Sequence, residues 1–136
     1  METRSIEALN ALLDSIAVDR ELTKEHLMAL MHLCSQQGEF ATASVMGALR
    51  LLDVPDSVEK MVATGSRRVV YKVRDKGSAI SLICRPTQRY CSCDRFVQVV
   101  MSDSITCEHV LAAQLSEALG MLKETAVSDS MFVECS

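Results

Sequence analysis

The residues able to do chemistry gather late in the chain. Cys91-Ser92-Cys93 and Cys107-Glu108-His109 set the spacing Cys-x-Cys-x13-Cys-x-His within 19 residues. Three thiolates and one imidazole are the donors of a closed structural zinc site, because borderline-soft Zn2+ prefers sulfur and nitrogen ligands in a tetrahedron. In a chain with only three histidines, unconnected thiols and a surface His would not be expected to fall into two such pairs. A redox Cys-x-Cys or a Cys/His nucleophile is the sharper rival. It lacks a third, orienting residue that the sequence can identify, and Ser92 and Glu108 make no recognisable catalytic signature. The expectation is therefore one structural Zn2+ held by Cys91, Cys93, Cys107 and His109, with no catalytic residue. Cys34 and Cys84 lie on apolar faces and Cys135 stands near the end, all without paired spacing, so they read as ordinary residues. His26 and His32, six apart on one helix, fall on different faces and are not expected to be ligands.

Positioning such a site requires an extended segment and a helix end. Val69, Tyr71 and Val73 alternate with Arg68, Val70, Lys72 and Arg74, and Ile80, Leu82 and Cys84 alternate with Ala79, Ser81 and Ile83. Asp75 to Ser78, with Gly77, would turn between these strands, and Val58 to Ala63 would add a weaker third. Cys91 and Cys93 on extended chain project to one side, while the first turn of a helix from Thr106 to about Leu122 aims Cys107 and His109 at the same point. The positive end of that helix favours the Cys107 thiolate. Asp94 to Met101 reads as a short helix and Ser102 to Ser104 as a loop.

Upstream the period is helical. Ile6, Leu9, Leu13 and Ile16 form one apolar stripe; Thr23 caps a second helix whose face is Leu27, Leu30, Met31 and Cys34; a third runs from Phe40 to Leu52 and stops before Pro55. The fold class is α+β: a helical region over 1–55, a module over 56–122 built as an antiparallel hairpin or three-stranded sheet with a metal-bound final helix, and a tail over 123–136. Since the metal module occupies about half the chain, the stripe Ile6, Leu9, Leu13 and Ile16, with the Leu27, Leu30, Met31 and Cys34 face of the second helix, is expected to face a protein partner rather than the chain's own core.

The chain has 136 residues, 49% hydrophobic and 24% charged, with a mean hydropathy of +0.16, which suits one compact domain and excludes a disordered polypeptide. Apolar runs are only a few residues long, and the first twenty positions carry Glu2, Arg4, Glu7, Asp14, Asp19 and Arg20, so neither a membrane span nor a secretory signal is expected. The net charge of -4 hides a segregation. Residues 1–59 hold 4 basic and 10 acidic side chains, 60–95 hold 9 and 2, and 96–136 hold 1 and 6. Arg67, Arg68, Lys72, Arg74 and Lys76 in the basic middle are a candidate nucleic-acid surface, although Tyr71, one of only two aromatics nearby, falls on the opposite strand face from Arg68, Lys72 and Arg74. A solvated face, or one meeting an acidic partner, explains the same charges. No Gly-rich phosphate loop appears, so no nucleotide hydrolysis is expected of the chain itself.

The four spaced ligands, preceded by a hairpin and followed by Val110-Leu111-Ala112-Ala113-Gln114-Leu115, resemble the SWIM zinc-binding domain. The stretches Gly65 to Val73, Tyr90 to Cys93 and Ser102 to Ala113 make the chain look like the small SWIM-containing subunit of animal Shu complexes. The resemblance is specific over residues 65–115, with Asp94 standing where many SWIM domains carry proline. It implies a non-enzymatic, nuclear adaptor that forms a heterodimer with a RecA-like ATPase paralogue. The pair would support recombinase filament assembly on single-stranded DNA in homologous recombination, DNA damage repair and meiosis. It also implies that Cys91, Cys93, Cys107 and His109 are the zinc ligands. A thiol enzyme or metal carrier is the remaining class, and would show a readily lost metal and a reactive thiol.

Overall fold

The computed structural model describes residues 3–35, 39–54, 57–74, 81–85, 90–91 and 107–130. Three helices lead: α1 (Thr3–Asp19), α2 (Lys24–Ser35) and α3 (Glu39–Leu52). They begin and end where local chemistry dictates. Thr23 Oγ1 accepts the backbone N–H of His26 at 3.1 Å, satisfying one of the amides that the first turn of α2 leaves without a helical partner. His26 is itself buried, and its ring reaches Ser15 Oγ and Asp19 Oδ2 at 3.2 Å each, tying α2 back onto α1.

Strands follow: β1 (Val58–Ala63), β2 (Val69–Arg74), β3 (Ser81–Arg85) and β4 (Tyr90–Cys91), then α4 (Glu108–Leu119) and β5 (Lys123–Val127). The described strands form one sheet in the order β4-β3-β2-β1-β5, antiparallel except for the parallel pair β1 and β5. The α+β class holds, with a mixed sheet of five strands where a hairpin or three strands were expected. Residues 123–127 are not tail but an edge strand beside β1, with Thr125 Oγ1 donating to Glu59 Oε2 at 2.9 Å. The turn expected at 75–78 and the short helix and loop expected over 94–104 lie outside the described residues.

The sheet has two unlike faces. Register places Val58, Tyr71, Val73, Leu82 and Cys84 on one, where Val58, Val73 and Cys84 are buried in the main core. The other carries a small cluster of Met61, Ala63 and Val70, with Ile83 and Val127 against it. Helix α4 packs on the first face and also contacts α1 and α3, so it lies between the sheet and the N-terminal helices. That position explains its composition. Val110, Leu111, Ala112, Ala113, Leu115 and Ala118 are all buried, and a helix apolar on most of its circumference is one covered on both sides. Small residues let neighbours approach: a Cβ on Gly47 of α3 would run into the Glu108 side chain at the start of α4.

The far end of α4 closes by a Schellman arrangement, with Gly120 at φ 69°. Met121 N–H donates to Ser116 O at 3.0 Å and Gly120 N–H to Glu117 O at 3.2 Å. The Arg20 guanidinium lies against Gly120, bringing a cation to the negative end of the helix. Leu9, Ile16 and Leu30, expected to be open for a partner, are buried at 4%, 0% and 0% exposure, and Leu13 and Met31 are partly buried against the same core. The expectation fails for these residues because the N-terminal helices pack on one another and on the second apolar face of α4. The Ile6 side chain lies outside the described residues.

Candidate metal centre

Two elements bring the donors together. Strand β4 places Cys91 opposite Cys84 of β3, on the sheet face that α4 covers. Cys107 is the N-cap of α4, with an extended backbone (φ −86°, ψ 167°) and its Sγ accepting Val110 N–H at 3.5 Å. His109 follows within the first turn. Their donor atoms, two sulfurs and one imidazole nitrogen, lie within 4.8 Å of one another, and the residues are 1%, 3% and 3% exposed. Cys93, the fourth expected ligand, lies outside the described residues.

The arrangement fits zinc in donor type and spacing. Zn–S and Zn–N bonds of about 2.0–2.3 Å in a tetrahedron set donors roughly 3.3–3.8 Å apart, so small adjustments of the three side chains would bring them to three corners of such a site. The helix supplies electrostatics as well. Sulfur at the N-cap meets backbone N–H groups and the positive end of the helix dipole, which stabilise it as a thiolate. A metal bound here would join the edge strand of the sheet to the first turn of the helix that spans the core. Among the described residues, neither His26 nor His32 belongs to any group that could hold a metal.

The chain is similar to proteins named for a SWIM zinc finger. Over 130 residues, 94% of this chain and 86% of the relative, it is 28% identical to the human protein called zinc finger SWIM domain-containing protein 7. The mouse protein of that name is 33% identical over 94 residues, covering 68% of this chain and 60% of the relative, and the zebrafish one 34% over 85 residues, 60% of each. These likenesses support a SWIM-type zinc finger protein. No family profile and no solved structure matches it.

The sequence-derived basic residues fall on the strands and their turn. Arg67 (φ 60°) and Arg68 are exposed between β1 and β2; Arg74 is exposed and Lys72 half-buried on the sheet face opposite the helices; Lys76 lies outside the described residues. Tyr71 faces the helices, beside Glu117 of α4 and under Lys60 Nζ at 6.0 Å from its ring centre. Burial, then the charge and hydrogen bond of Glu117, push its phenol well above the ordinary value. Lys60 in turn pairs with Glu117 at 2.9 Å. One residue of the site was not foreseen. Cys84, read as an ordinary core residue, has its Sγ 3.4 Å from Cys91 Sγ. No spacing rule links positions seven apart; only strand register does.

Proposed function

We propose that this chain is a non-enzymatic, zinc-stabilised adaptor that pairs with a RecA-like ATPase paralogue and promotes recombinase filament assembly in homologous recombination. The observation that carries the zinc-adaptor half is the burial of Cys91, Cys107 and His109 at 1–3% exposure. Donors so enclosed suit an ion that holds the fold together rather than one that meets a substrate. The recombination half is supported by the likeness of residues 65–115 to the Shu-complex SWIM subunit and by relatives whose names carry the same SWIM zinc finger. Nuclear residence and action in meiosis belong to the same reading. In this reading the partner supplies any ATP turnover.

Tagged protein recovered from cells, with bound chains identified by mass spectrometry, tests it. A RecA-like ATPase in near-equal amount is expected; recovery of the chain without one, at full zinc content, would remove the recombination half.

A second reading, single-stranded nucleic-acid binding, is favoured by one observation. Lys72 and Arg74 share the sheet face that the helices leave uncovered, with Arg68 exposed at the entry to the same strand. Each lost phosphate contact should lower the slope of log affinity against log salt by about one. Binding by the isolated chain that ignores salt, or is unchanged in an Arg68→Ala, Arg74→Ala double variant, would remove this reading.

A further inference from the structure

We propose that Cys84 and Cys91 are an oxidisable dithiol: a peroxide converts them to a disulfide, takes Cys91 from the metal and so releases the zinc. The inference rests on the metal-centre reading and adds a modification site to it.

The geometry is that of a pair one step from bonding. Cys84 and Cys91 are register partners on antiparallel β3 and β4, and their sulfurs lie 3.4 Å apart. Directly opposed antiparallel residues have Cα atoms about 4.5–5.5 Å apart, inside the roughly 4.4–6.8 Å that a disulfide spans. Side-chain rotation alone therefore brings the sulfurs to the bonding distance of about 2.05 Å. Cys84 is not one of the three clustered donors, so its thiol is free to react without first leaving a metal. Both residues are buried, at 0% and 1% exposure. Access comes through β4, which stands at the edge of the sheet formed by the described strands, and edge elements open at lower free-energy cost than central ones.

The steps balance. The Cys84 sulfur attacks one peroxide oxygen; an S–O bond forms, the O–O bond breaks, the attacked oxygen keeps its proton as the sulfenic hydroxyl, and the departing hydroxide takes the thiol proton and leaves as water. Reclosure of β4 sets the resulting sulfenic acid against Cys91. The Cys91 thiolate leaves the metal and displaces that hydroxyl, forming S–S and breaking S–O, and the hydroxide takes a proton from solvent as a second water. One thiol and one thiolate are oxidised to a disulfide, and one peroxide, with one solvent proton, is reduced to two waters. With Cys91 in the disulfide the ion has lost a ligand, and metal affinity falls with it. A dithiol reductant reverses the modification.

The experiment uses the full-length zinc-loaded protein and hydrogen peroxide. Zinc release is followed with a chromogenic chelator, and the disulfide is mapped by mass spectrometry of unreduced peptides. Wild type is expected to release zinc with a crosslink between Cys84 and Cys91, reversibly on reduction. Cys84→Ser and Cys84→Ala are expected to start with full zinc and to release it at least tenfold more slowly. Release at the wild-type rate in both variants, or a Cys91–Cys93 crosslink in its place, would overturn the dithiol alone. Untreated wild type holding no zinc would overturn the metal centre and the dithiol together.

Discussion

Cys107 holds two positions at once, the N-cap of α4 and a corner of the metal centre. The two roles separate by substitution. Cys107→Ser restores a capping acceptor, whereas Cys107→Ala removes it, a difference of about 0.5–2 kcal/mol in helix stability. Neither replacement offers zinc a thiolate, so both variants should lose most of their metal in competition with a chelator, with Cys107→Ala melting lower. Full zinc in either would exclude Cys107 as a ligand. Tyr71 gives a pH prediction. Its phenol is held above the ordinary value by burial and Glu117, so above pH ~10 the folded chain binds more protons than the unfolded one and stability falls as pH rises. Denaturation at pH 8 and pH 11 should show a drop that is smaller in Tyr71→Phe; an equal drop would place the alkaline loss elsewhere. At this scale the sequence was informative where chemistry is spaced along the chain, as in Cys-x-Cys and Cys-x-His. It was silent on Cys84, whose role depends on which residue the register sets opposite it.

Helix α4 decides the architecture. Its spacing of Leu111, Leu115 and Leu119 announces one apolar face, but Val110, Ala112, Ala113 and Ala118 are buried too. Small residues carry the second face, and alanine adds little to a periodicity read from large side chains. The consequence reaches α1. Leu9 and Ile16 pack into the core that α4 anchors, so Ile16→Ala should cost about 2–5 kcal/mol and Leu9→Asp should prevent folding rather than only weaken partner binding. A Leu9→Asp chain that keeps its helicity by circular dichroism would return the stripe to the surface. Strand β5 escaped notice for a related reason. Lys123–Val127 is polar and mostly exposed, because an edge strand needs only its backbone and one flank to pair. Gly120 ends α4 at Leu119, short of the Leu122 that the leucine spacing suggested. Its φ of 69° costs an L side chain roughly 1 kcal/mol or more, and a Cβ there would also press on Arg20, so Gly120→Ala should lower the melting temperature measurably.

Taken whole, the molecule has one main core running from α1 through α4 to the sheet. No helix of the described residues is long and apolar enough to cross a membrane. The metal centre sits where three parts of that core meet: the edge strand, the start of α4 and, through Glu108 and Gly47, the helix α3. Apparent zinc affinities of about 10–16 kcal/mol in small structural sites rival a domain's whole stability of roughly 5–15 kcal/mol, so the ion's loss should be felt by the N-terminal helices as well as by the sheet. The most direct measurement is zinc content by elemental analysis alongside helicity, for the purified chain and for His109→Ala. One zinc per chain in the wild type is predicted, with metal and helicity lost together in the variant; well under one equivalent in the wild type, or a variant that keeps its zinc and its fold, would contradict the account.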